Sequence, residues 1–209
     1  MKLRHKVVAV LPAVLLLTSC SEGPKPAEKA KEPPKPAEPV TALTAVYRMF
    51  TQARAWSPDC KLLRAASLDL KEVKAEPGKA GAWEATFVSE ANQRARRYTY
   101  SVIEASGSNL HEGVSGGPMD SWSPGGQAKP FLIQAFKTDS PAAYQEALGN
   151  PKAKEYSGQH PEIPVKFLIE QTSRFPDPAW RLYWGESLST SGFSVFVDAM
   201  TGKFLQTSR

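Results

Sequence analysis

The chain has 209 residues and a formal charge of +5, from 26 basic and 21 acidic side chains. Lys2, Arg4 and Lys6 crowd the N-terminus, and without them the remainder is near +2, too dilute to hold nucleic acid through counterion release. Hydrophobic residues at 41% suffice for a core, whereas three histidines and two cysteines leave little for a metal or cofactor site, and none is expected.

Residues 1–19 follow the plan of a secretory signal: a basic head, then an apolar run from Val7 to Leu17 broken only by Pro12. The run is about half the ~20 residues that cross a bilayer, so cleavage is expected rather than retention. It ends in Leu17-Thr18-Ser19-Cys20, which resembles the lipobox of bacterial lipoproteins. The resemblance implies thioether acylation of Cys20, cleavage before it, and a membrane anchor in the cell envelope. Ser21, where Asp is associated with inner-membrane retention, favours the periplasmic face of the outer membrane if the source is Gram-negative. Residues 20–39 hold the lipidated Cys and a tether of mostly Lys, Glu, Pro and Ala, four Lys against four Glu with six Pro, in which no apolar side chain other than the proline rings is larger than Ala. Such a segment cannot bury enough surface to offset its ordering entropy, so a disordered Pro-rich tether is expected.

From Val40 the composition turns globular. Leu43, Val46, Tyr47, Phe50 and Ala53 recur at helical spacing up to Trp56. Leu68 and Leu70 suggest a strand, Trp83–Phe87 and Tyr98–Val102 alternate as a hairpin, and Ser108–Glu112 offers a fourth strand. Residues 113–126, rich in Gly and Pro, read as a connecting loop. Ser140-Pro141 starts a second helix with a capping hydroxyl, and Asn150-Pro151 a third that runs through Tyr156. Val165–Ile169, Trp180–Trp184 and Phe193–Val197 alternate, followed by Thr201-Gly202 and a last strand at Lys203–Leu205.

The second half repeats the first. Ala82-Trp83-x3-Phe87 matches Ala179-Trp180-x3-Trp184, while Tyr98, Val102 and Gly107 match Phe193, Val197 and Gly202 two residues out of step, as if the first hairpin were longer. The fold class read from this is α+β, with two similar units (40–125 and 126–209), each a helix packed on a small antiparallel sheet. Residues 180–185 and the Asp-Ala-x-Thr-Gly run of 198–202 resemble a PepSY domain over 140–209, and more faintly over 42–107. That resemblance implies a non-enzymatic envelope module that binds a protein or peptide partner. Inhibition of secreted proteases is the alternative it offers.

Four groups carry candidate chemistry. Gly113-Val114-Ser115-Gly116-Gly117 has the spacing of a nucleophile elbow, but Met119–Gly126 cannot make the helix an elbow needs, so a hydrolase using Ser115 is the minor alternative. His111 and His160 lack ligand spacing. Cys60, unpaired once Cys20 is acylated, is either a buried small hydrophobe or a thiol open to pairing. Arg94, Arg96 and Arg97 in the hairpin turn, with Trp122 between the units, are candidate partner contacts forming the rim and floor of a cleft; Tyr183 is a further contact on the strand face opposite Trp180 and Trp184.

Overall fold

In the computed structural model, which describes residues 36–209, the chain is already packed at Ala37 and buried at Pro39, so the folded part begins inside the stretch read as tether. The stretch read as a leader, Cys20 and the rest of the stretch read as a tether lie outside the described residues. β1 (Val40–Thr41) leads into α1 (Ala42–Trp56), whose Thr41 Oγ1 caps the Thr44 N–H. Then come β2 (Lys61–Leu68), β3 (Lys79–Ala80), β4 (Ala82–Ser89), β5 (Arg94–Ser101) and β6 (Gly113–Ser121). The second half comprises β7 (Ala128–Lys129), α2 (Ser140–Gly149), α3 (Pro151–Gln159), β8 (Val165–Thr172), β9 (Ala179–Trp184), β10 (Phe193–Asp198) and β11 (Phe204–Ser208).

One antiparallel sheet runs through both halves in the order β11-β10-β9-β8-β2-β4-β5-β6, with β7 beside the end of β8. The two small sheets expected from the sequence are therefore joined edge to edge. The physical reason is that β2 and β8, each the first strand of its meander, would otherwise be exposed edges, and pairing satisfies both backbones. Strand alternation sends Trp83, Phe87, Tyr98, Phe167, Ile169, Trp180, Leu182 and Val195 to one face, where they share a core with all three helices. Trp83, Phe167 and Trp180 form an aromatic row across the join, with centroids 6.1 and 6.3 Å apart.

The segment read as a loop at 113–126 is instead mostly strand. Gly113–Ser121 pairs with β5 and forms one edge of the sheet, with an irregularity beside Pro118. Likewise the strand expected at 68–70 lies earlier, at 61–68, and the one at 108–112 gives way to a helical turn at Ser106–Ser108. Glycine and proline mark chain breaks only on average; an edge strand tolerates both because one side of its ladder is free.

The two-residue slip between the halves is not present in the structure. Trp83 faces Tyr100 as Trp180 faces Val197, and Phe87 faces Arg96 as Trp184 faces Phe193, so both hairpins have the same length. Matching aromatic with aromatic misaligned β5, since cross-strand pairing rather than side-chain likeness sets register. Hydrogen bonds repeat at the same places. Trp83 Nε1 donates to the Val40 carbonyl at 3.0 Å and Trp180 Nε1 to that of Thr138 at 2.8 Å; Val102 N–H donates to Gly81 as Ala199 N–H does to Pro178.

The start of α2 is also where the two halves are fastened. Asp139, rather than Ser140, is the N-cap, and its Oδ1 accepts both the Ser140 N–H at 2.7 Å and the Leu43 N–H of α1 at 2.9 Å. The Ser140 hydroxyl accepts the Ala42 N–H at 2.9 Å and donates to the Gly78 carbonyl at 2.6 Å. Gly78 adopts φ +76°, and a Cβ there would lie 2.3 Å from Pro141 Cα, so the contact needs glycine for space as well as for conformation.

Candidate functional site

The join between the halves has an unusual ladder. β2 and β8 pair over only three residues, Arg64–Glu170, Ala65–Ile169 and Ala66–Leu168. Both strands continue beyond this on their outer sides, β2 with β4 through Leu68 and β8 with β9 from Val165. They splay apart at each end of the short ladder. At one end a cleft of about 550 Å³ opens, lined by Leu70, Val73, Ala80, Tyr144, Val165 and Phe167 among others.

The backbone at the cleft is partly converted to side-chain bonding. Where the next ladder rung would fall, the Phe167 N–H donates to Ser67 Oγ at 3.0 Å. On the outer side of the sheet Lys166 spans the gap. Its Nζ donates to Asp69 Oδ2 at 2.6 Å and to the Glu186 carbonyl at 2.7 Å, with Glu186 Oε2 at 3.4 Å. The residue is 8% exposed. Burial works against its charge, but the bonds to Asp69 and Glu186 outweigh it and hold the ammonium above its ordinary range. Lys166 thus latches the lower wall of the cleft, while Tyr144 of α2 lines its helix side. Beyond Leu70 nothing up to Gly81 has strand or helix periodicity; only Pro77-Gly78 signals a turn, so most of the cleft wall was not readable from the sequence.

Of the residues expected to form a cleft elsewhere, Arg94 and Trp122 meet at one hairpin tip, while Arg96 and Arg97 lie apart from them. Arg94 and Arg96 fall on the helix side of β5 and Arg97 on the other, as strand alternation requires. Arg96 Nε donates to the Gly117 carbonyl at 2.9 Å with its guanidinium 5.3 Å from the Tyr98 ring centroid, whereas Arg97 Nε lies 3.6 Å from Glu84. Trp122 follows β6 at the hairpin tip, its backbone N–H donating to the Gln93 carbonyl at 2.9 Å beside Arg94, and is not at the join between the halves. Tyr183 does lie opposite Trp180 and Trp184, yet it is buried, which pushes its phenol upward in pKa, and so it presents no open contact. The outer face near it is covered: Phe175 packs 5.4 Å from Phe196, and the Arg174 guanidinium sits 4.4 Å over the Phe196 ring.

Ser115 lies in β6 opposite Thr99, and the chain stays extended to Ser121, so it is not on a strand-to-helix turn. His111 is engaged with Glu104 at 2.9 Å, and the His160 ring lies tilted against Tyr156 with centroids 4.6 Å apart. Among the described residues no group of three or more His, Cys, Asp or Glu side chains is placed to hold a metal ion. Asp198 Oδ1 accepts the Met200 and Thr201 N–H groups at 2.9 and 2.7 Å, and Gly202 takes φ +72°, which closes the last hairpin.

Cys60 is 6% exposed in the common core, and burial pushes its thiol up to about 11. At pH 8 that leaves roughly one thiolate in a thousand, so the folded protein should not react with a disulfide reagent. Titration in denaturant should then release one further thiol per chain; rapid labelling of the folded protein would place Cys60 at the surface instead.

No protein-family model matches the sequence, and no curated protein matches it. Among solved structures the fold is similar to that of a candidate lipoprotein from Clostridium difficile 630. The TM-score is 0.45 and the identity 7%, over 78% of this chain and 91% of that one. Among the described residues no helix is long and apolar enough to cross a membrane.

Proposed function

We propose that this chain is a lipid-anchored protein of the cell envelope that acts by binding a protein partner rather than by catalysis, through the cleft where its two halves join. The observation that carries the reading is the splayed seam: a cleft of about 550 Å³ with an apolar lining, held open by the short β2–β8 ladder and the Lys166 latch. A strand pair that could extend its ladder but stops leaves apolar surface and backbone groups unused, which is the composition of a protein-binding groove. The anchor rests on the basic head, the short apolar run and Cys20. The two helix-and-meander halves are read as copies of one PepSY-like unit, supported by the repeated Trp-to-carbonyl bonds and equal hairpins.

The test places a photo-crosslinking residue at Ala75, exposed on the cleft wall, and at Gln159, exposed on α3, in living cells. A discrete adduct with an envelope protein is expected from position 75 and not from 159. It should weaken when Cys20→Ala releases the chain from the membrane fraction. No adduct from 75, or the same adduct from both sites, contradicts binding at the seam. A Cys20→Ala protein that stays in the membrane fraction contradicts the anchor.

A further inference from the structure

The seam splays at two ends, and the chain itself fills one of them. At the end opposite the cleft, residues 128–131 enter between the strands: Ala128 and Lys129 pair with Thr172 and Gln171 of β8. The chain then crosses at Pro130, and Phe131 exchanges both backbone hydrogen bonds with Leu62 of β2 at 2.8 and 3.0 Å. The Phe131 side chain is buried in the core. The two ends are equivalent positions of the fold. Trp83 faces Ser67 as Trp180 faces Ile169, and Phe87 faces Leu62 as Trp184 faces Val165, so matching these rungs relates Leu62 to Val165 and Gln171-Thr172 to Asp69-Leu70. Val165, Asp69 and Leu70 all line the cleft.

We infer that the cleft takes an extended segment of a partner protein, inserted beside β8 as residues 128–131 are at the other end, with an apolar side chain seated against Leu70, Val73 and Phe167. This rests on the binding reading above and specifies its mode. Alternation along β8, fixed by the Phe167 N–H pointing to Ser67, turns the N–H and C=O of Val165 toward the cleft, where ladder pairing with β2 has stopped. An inserted chain pairs with those groups, and alternate side chains reach opposite sides of the sheet. The volume of about 550 Å³ suits a few residues, comparable to the four that fill the other end. The chain's own residues 21–35 do not match this chemistry: they hold four prolines, which cannot donate, and no other apolar side chain larger than Ala. Lys166 lies beneath the site with its protons already engaged by Asp69 and Glu186, and Lys79 is paired with Glu76, so backbone and apolar contact dominate recognition, with Lys71 a further charge on the wall.

The probe is a fluorescent peptide of this chain's own sequence 126–133, Gly-Gln-Ala-Lys-Pro-Phe-Leu-Ile, added to the full chain in detergent. Fluorescence polarisation should give saturable binding, little changed between 50 and 300 mM salt and at least tenfold weaker for the same peptide with Phe replaced by Ser. Val165→Pro removes the cleft-facing N–H while leaving the β9-facing groups, and Ala75→Trp fills the mouth from an exposed position on the cleft wall; each should weaken binding at least tenfold. Peptide-dependent protection of the Val165 amide from hydrogen exchange is the signature of insertion. Absence of wild-type binding, equal binding by both variants, or binding without Val165 protection overturns strand insertion. The crosslinking outcome at position 75 is independent of this peptide, so a seam adduct without peptide insertion would leave partner binding standing and remove only its mode.

Discussion

Trp180→Ala should lower the free energy of unfolding by about 3–5 kcal/mol, among the largest effects of any single substitution in this chain. The side chain is fully buried, meets Phe136 edge-on at 5.3 Å and Phe167 at 6.3 Å, and donates to the Thr138 carbonyl. Truncation leaves a cavity in a close-packed row and an acceptor without its donor just ahead of α2. Trp83→Ala should cost a similar amount, because the same bond reaches the Val40 carbonyl ahead of α1 and the ring is equally buried. Because Phe167 touches both rings, the double variant should deviate from additivity. Urea unfolding of the four proteins measures this. Losses below about 1 kcal/mol at both positions would show that the row does not carry the fold.

Asp139→Ala is expected to cost about 2–4 kcal/mol, more than an ordinary helix cap, because one carboxylate caps two helices. Its Oδ1 accepts the Ser140 N–H of α2 and the Leu43 N–H of α1, so the positive ends of both helix dipoles converge on it. Ser140→Ala should act through the same junction by stranding the Ala42 N–H and the Gly78 carbonyl in a fully buried site. The comparison is Asp120→Ala on the exposed edge strand, expected within about 0.5 kcal/mol of wild type. If Asp139→Ala proves no more costly than Asp120→Ala, the halves are held by the sheet and core alone.

What was legible in the sequence was whatever depends on neighbours along the chain. The helix at 42–56 follows from apolar side chains recurring every three to four residues, and β8, β9 and β10 from alternation. The faces of Trp180 and Tyr183 follow from the same period, as does the Asp198–Gly202 turn from its own hydrogen bonds. Composition also separates a basic and apolar N-terminal stretch and a Pro-rich stretch from the globular part. It failed where partners are distant. Gly113–Pro118 reads as loop chemistry and becomes strand because β5 offers it a ladder. Arg94, Arg96 and Arg97 are adjacent in sequence, but the pleat sends them to opposite sides of the sheet.

The join was decided by tertiary structure alone. That β2 pairs with β8, that Asp139 caps a helix starting almost a hundred residues earlier, and that residues 128–131 fill one splay while the other stays a cleft are all pairings between segments far apart in sequence. Periodicity tells which side of a strand is apolar. It carries no information on which other strand will satisfy that strand's backbone, because every strand offers the same donors and acceptors, and only the packing of the whole core selects among them.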